Sequence, residues 1–197
     1  MDSVTQLVLG ASVAAVCVPK QHCRRALIVG AALGTLPDLD VIIDYGNAVA
    51  NFTLHRGFSH SLLVLIPFAA LLWLILRRYY TPVREVPKPW FWAILLALIT
   101  HPLLDAHTAY GTQLFWPLAV TPTMWSTLFI IDPLYTLPLL VAVIVVLLAP
   151  MRAFAKTALK TGLIVSSLYL SWSWVANLLV VSAVAERFEM ASGELKV

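Results

Sequence analysis

Six apolar runs dominate the chain, and they leave it little to fold into except helices in a lipid bilayer. They cover approximately residues 4–18, 26–43, 60–76, 90–106, 127–149 and 161–185. A helix of about 20 apolar residues spans the hydrocarbon core, where lipid offers no partner for an open backbone N–H or C=O group. Six such runs consume most of 197 residues, so one integral membrane domain over 1–197 is expected. The expected fold class is all-α, a polytopic membrane helix bundle of about six transmembrane segments. No basic region precedes the first run (Met1-Asp2-Ser3-Val4-Thr5-Gln6), so it is expected to stay as a membrane helix rather than be cleaved as a signal peptide. Charged residues make up 12% of the chain, against about 25% in soluble domains. That excludes an ordinary cytosolic globule and a disordered chain. A net charge of +3, carried on scattered basic residues, gives no footprint for nucleic acid. Cys17 and Cys23, with Pro19 between them, are expected to be reduced thiols rather than a disulfide framework.

The few charges sort by side. Lys20, Arg24, Arg25, Arg77, Arg78, Arg84, Lys88, Arg152, Lys156 and Lys160 fall in the loops 19–25, 77–89 and 150–160. Only Arg56, Arg187 and Lys196 fall on the alternate side. The positive-inside rule then puts those three loops in the cytoplasm and both termini on the outer, periplasmic side. Trp90, Trp92, Trp116 and Trp125 sit where interfacial aromatic belts belong. The acids run the other way. All but Glu85 fall outside or at outer helix ends, together with His55, His60, His101 and His107.

Ionisable groups at membrane depth are costly, which makes them candidates for function. Four groups converge on the outer helix ends. In Leu36-Pro37-Asp38-Leu39-Asp40, two carboxylates can both point inward from a helix end broken after Pro37; solvated acids in a turn are the plain alternative. In His55-Arg56-Gly57-Phe58-Ser59-His60-Ser61, Gly57 permits unusual backbone and Ser59 suits an N-cap, but capping leaves two imidazoles and an arginine unexplained. In His101-Pro102-Leu103-Leu104-Asp105, His and Asp at i and i+4 share one helix face and can reach one ion. Asp132-Pro133 reads as an N-cap with Pro at the first helical position, or as a carboxylate turned toward the same site. His107 joins only if the helix ends at Asp105. Nitrogen and oxygen donors in this mix suit Zn²⁺, one or two ions, with Mn²⁺ or Fe as alternatives.

At these residues the sequence resembles the YdjM-type family of LexA-regulated, membrane-bound, predicted metal-dependent hydrolases. Gly34-Thr35-Leu36-Pro37-Asp38-Leu39-Asp40, the His55–Ser61 stretch, His101-Pro102-Leu103-Leu104-Asp105, Tyr110-Gly111-Thr112-Gln113 and Ile131-Asp132-Pro133-Leu134 carry the resemblance, in that order. The family is distantly similar to zinc-dependent phospholipase C. The resemblance implies metal-activated water attacking a phosphoester at a bacterial cytoplasmic membrane, with Asp40, His60, His101 and Asp105 as metal ligands. Where many members carry Thr-His near the N-terminus, this chain has Thr5-Gln6.

The expected function is therefore a metal-dependent hydrolase of phospholipid or lipid-linked phosphate, working at the outer membrane face. By the resemblance Asp38 and His55 would serve as ligand or general base; Asp132 is a further candidate base, and Arg56 a candidate for holding a phosphate oxygen. Two other classes share the pattern. A transporter would place its ionisable groups near the midplane and often carries inverted repeats, and none is evident here. A non-catalytic metal-binding membrane protein would saturate the ion with protein ligands.

Overall fold

The protein is described by a computed structural model covering residues 1–149, 151 and 153–194. Arg152 and Lys196, which entered the charge sorting, lie outside the described residues. Among the described residues eight α-helices form: α1 (Ser3–Cys17), α2 (Cys23–Thr35), α3 (Ala48–Leu54), α4 (Leu62–Tyr79), α5 (Thr81–Glu85), α6 (Pro87–Asp105), α7 (Pro133–Leu148) and α8 (Ala153–Glu194). Tight 3₁₀ turns at Lys20–His22, Pro37–Ile42 and Phe58–His60 connect them. Among the described residues there is no β-strand, only an isolated bridge between Thr112 and Thr123.

Each apolar run contains a helix, and local chemistry sets where each helix starts and stops. Asp2 opens α1 by accepting from the Val4 and Thr5 N–H groups. The 26–43 run is not one α-helix. Pro37 lacks an N–H and crowds the carbonyl four residues back, so α2 ends at Thr35 and the chain tightens into the 3₁₀ turn. The 127–149 run becomes helical only at Pro133. Before it, the Thr127 and Leu128 N–H groups are taken by the His107 carbonyl. The last run continues far past residue 185, to Glu194.

Helix α1 is the central element, packed against α2, α6, α7 and α8. Its closest neighbour is α2, and glycine makes that approach possible. A Cβ on Gly10 would lie 2.3 Å from the Gly30 carbonyl oxygen, and one on Gly34 would lie 2.5 Å from the Gln6 carbonyl oxygen. Gly30 and Gly34 are spaced as in the small-xxx-small pattern that lets membrane helices touch backbone to backbone. The pairs α1–α2, α4–α6 and α7–α8 run back and forth, so one end of the bundle collects the start of α1, the ends of α2 and α6, and the starts of α4 and α7.

The outer faces of the bundle are apolar. Leu63, Ile66, Leu71 and Leu74 on α4, with Leu168, Trp172, Leu178 and Val181 on α8, are all exposed. A soluble surface does not carry apolar faces of that extent. Leu62–Tyr79 and Phe154–Phe188 are long and apolar enough to cross a membrane, while α1 and α7 are shorter apolar helices.

Candidate metal centre

Where α2, α4 and α6 meet at one end of the bundle, four side chains close on one point. The 3₁₀ turn after Pro37 supplies Asp38, the turn before α4 supplies His60, and the last turn of α6 supplies His101 and Asp105. One donor atom from each lies within 4.8 Å of the others. His60 Nε2 and His101 Nε2 are 3.0 Å apart. Asp38 Oδ1 is 3.4 Å from the first and 3.3 Å from the second. Asp105 Oδ2 is 3.4 Å and 3.7 Å from the same two atoms. A tetrahedron with metal–ligand bonds of about 2.0–2.1 Å has edges of about 3.3–3.4 Å. These spacings straddle that value.

The hydrogen bonds behind the cluster fix what the donors present. His101 Nδ1 lies 2.5 Å from the Gly34 carbonyl oxygen, which can only accept, so Nδ1 carries the proton and Nε2 turns a lone pair inward. His60 Nδ1 lies 2.9 Å from Ser59 Oγ, whose hydroxyl donates to Asp40 Oδ2 at 2.5 Å. His60 Nδ1–H therefore donates to Ser59, and its Nε2 also faces in as an acceptor. Two imidazole lone pairs 3.0 Å apart, beside two carboxylate oxygens, repel unless a cation lies between them. His60, His101 and Asp105 are buried, and Asp38 is the exposed edge with 23% of its side-chain surface open.

The two neighbouring carboxylates divide between the cluster and its rim. Asp40, expected among the ligands, stands outside the four-residue cluster and organises its rim. Its Oδ2 accepts from the Arg56 N–H at 3.0 Å and from Ser59, and its Oδ1 lies 2.8 Å from His55 Nδ1. Asp38, expected as a ligand or a base, stands in the cluster with His60, His101 and Asp105. The reason is the 3₁₀ turn: its tighter winding sends residues 38 and 40 to adjacent sides of one rim. Ser59, read as a cap, links Asp40 to His60, and the N-cap position of α4 falls to Ser61, whose hydroxyl donates to the Trp116 carbonyl at 2.7 Å.

Arg56 lies against the cluster. Its Nε is 3.2 Å from Asp105 Oδ2, its Nη1 donates to Thr108 Oγ1 at 3.3 Å, and its guanidinium stacks over the Tyr110 ring at 4.6 Å. Its φ of +63° is rare for a residue with a side chain. Burial pushes the Tyr110 hydroxyl above the usual phenol range, against the pull of Arg56. Gln6 donates to Asp105 Oδ1 at 2.8 Å and to the His101 carbonyl at 3.2 Å, and its buried Oε1 has no partner. The amino group of Met1 also reaches Asp105 Oδ1.

Asp132, an expected participant, and His107, a conditional one, lie elsewhere. Asp132 caps α7 through Oδ1, accepting from the Leu134 and Tyr135 N–H groups, and its Oδ2 accepts from the Tyr169 hydroxyl at 2.9 Å. Helix α6 does end at Asp105, yet His107 turns away. Its Nδ1 donates to the Leu103 carbonyl at 2.8 Å, and its ring packs edge-on against Trp125. Sequence reasoning gave no role to Gln6, Thr108 or Tyr110. The departure at Thr5-Gln6 was the signal for the first and the Tyr110-Gly111-Thr112-Gln113 stretch for the last; nothing in the local sequence marked Thr108.

The fold and the cluster together define an all-helical membrane protein with a four-residue site suited to a divalent metal. The chain belongs to the YdjM inner membrane protein family, which it matches over residues 1–180. It is 34% identical to the inner membrane protein YbcI of Escherichia coli (strain K12) over 93 residues, covering 47% of this chain and 52% of that protein. It is 29% identical to YfhP of Bacillus subtilis (strain 168) over 124 residues, covering 59% of this chain and 37% of that protein. The chain thus aligns with about half or less of the length of these relatives. No solved structure matches it.

Proposed function

We propose that the protein is a metal-dependent phosphoester hydrolase of the inner membrane, with six membrane-crossing segments and the site facing the periplasm. Its proposed substrate is a phospholipid or another lipid-linked phosphate. The observation that carries this reading is the inward set of four acceptors on Asp38, His60, His101 and Asp105, with both imidazole tautomers fixed from behind. These four residues would hold the ion, for which Zn²⁺ fits best and Mn²⁺ or Fe are alternatives. A bound ion of this kind supplies Lewis acidity toward a phosphoryl oxygen and makes water acidic enough to attack at neutral pH.

The chain's own residues supply the rest. Arg56, held by Asp105, Thr108 and Tyr110, is a fixed cation beside the cluster, suited to a phosphate oxygen. His55, paired with Asp40 and partly exposed, is suited to hand a proton to the leaving alcohol as the P–O bond breaks. Asp132 is spent on capping α7 and is left out of the chemistry. A cavity of about 340 Å³ opens beside the rim, with Asp40 and Ser59 at one edge and Leu36, Leu39, Ile43, Phe58, Leu65 and Phe68 as walls. Apolar walls leading to a polar rim suit a substrate that keeps its tail in the membrane.

The four-donor count favours one other reading. Closed tetrahedral sites with four protein ligands are the structural kind, whereas catalytic zinc keeps a position open. Turnover separates the two. The protein, purified in detergent and loaded with Zn²⁺, Mn²⁺ or Fe²⁺, is expected to release the phosphorylated headgroup from a phospholipid. Chelation and Arg56→Gln are each expected to abolish that release. Stoichiometric metal with no turnover of any phosphoester would favour the closed, non-catalytic site.

A further inference from the structure

At the opposite end of the bundle, the turn Lys20–His22 leads into α2 with no side-chain cap on the helix. There a cavity of about 510 Å³ is walled by Lys20, His22, Arg24, Arg25 and Glu85, among others. The three cations are exposed, and among the described residues none of them makes an ion pair. His22 is different. It is only 2% exposed, its Nε2 lies 3.3 Å from Glu85 Oε2, and neither of its ring nitrogens makes a hydrogen bond. Burying a polar atom without a partner is costly, so a wall that contains one calls for a ligand.

We propose that this cavity binds the headgroup of an anionic phospholipid bearing a free hydroxyl. His22 brings two ring nitrogens without hydrogen bonds to the cavity wall, Nε2 on the Glu85 side. A hydroxyl, which can both donate and accept, answers an imidazole nitrogen in either tautomer, and a phosphodiester answers Lys20, Arg24 and Arg25. One molecule that carries both, beside apolar helix faces, is a polyol phospholipid such as phosphatidylglycerol. Basic pockets between membrane helices have the chemistry for such headgroups. The site is separate from the metal centre and does not depend on it.

The test is native mass spectrometry of the full chain from mixed micelles of phosphatidylglycerol and phosphatidylcholine, with soluble glycerol phosphate added in a parallel series. Wild-type protein is expected to retain phosphatidylglycerol preferentially, to lose that preference in the double variant Arg24→Gln/Arg25→Gln, and to keep it in Arg77→Gln/Arg78→Gln. The second pair removes the same charge at the same end of the bundle. Binding of glycerol phosphate without lipid retention would support the pocket and assign it a soluble source. Equal losses in both double variants would overturn the proposal in favour of diffuse charge attraction. If the variants fail to fold, wild type still decides: no preference for phosphatidylglycerol and no glycerol phosphate binding overturns it.

Discussion

Ser59 shows how much of this site depends on residues that would never touch a metal. Its hydroxyl joins Asp40 to His60 Nδ1 and so holds the imidazole with Nε2 inward. Ser59→Ala leaves that N–H without its partner. Loss of such an outer contact typically weakens a metal site about 10–100-fold. A chelator competition titration is expected to show a drop of that size with helical content unchanged; an unaltered affinity would contradict the link. Much of the cluster was legible at this scale. The i, i+4 spacing of His101 and Asp105 and the depth of His60 marked them as site residues. The division of labour between Asp38 and Asp40 was not legible, because it depends on 3₁₀ rather than α winding after Pro37. Nor was the role of Ser59, since a serine before a helix reads equally well as a cap.

Among the elements, the contact between α1 and α2 matters most, because Gly34 serves two purposes. Its missing side chain admits the Gln6 backbone, and its carbonyl holds His101. Gly34→Ala would put a Cβ 2.5 Å from the Gln6 carbonyl oxygen and push the helices apart. Overpacking of this kind costs about 1–3 kcal/mol. A lowered melting temperature in detergent is expected, together with weaker metal binding; loss of stability with full metal affinity would uncouple the packing from the site. All six apolar runs reappear as helices, which periodicity and hydropathy make readable. Boundaries were less so. Residues 127–132 are apolar enough to look helical, but the Thr127 and Leu128 N–H groups are taken by the His107 carbonyl, and the helix starts only after the Asp132 cap. Helix α8 outruns its apolar stretch because Glu186 and Arg187 continue a helix as readily as leucine does.

For the whole molecule, the asymmetry of charge carries the account. Asp38, Asp40, Asp105 and Asp132 gather with His55, His60, His101 and His107 at one end of the bundle, and Lys20, Arg24, Arg25, Arg77 and Arg78 lie at the other, with His22 and Glu85. If the positive-inside rule governs insertion, the metal centre faces the periplasm. A cysteine at an exposed position at each end tests this, in a chain with Cys17 and Cys23 replaced by serine. Ala109→Cys is expected to react with a membrane-impermeant maleimide in cells whose outer membrane has been opened, and Lys88→Cys only after the inner membrane is disrupted. The reverse pattern would turn the site toward the cytoplasm and change which lipids it can meet.

The central claim is that four inward acceptors hold a divalent ion, and elemental analysis of the purified protein tests it most directly. Wild type is expected to carry metal in stoichiometric amount, His101→Ala to lose it, and Asp38→Asn, altered only at the exposed edge, to hold it more weakly in a chain that folds normally. Metal no higher than background in wild type, or metal content unchanged in His101→Ala, would contradict the account.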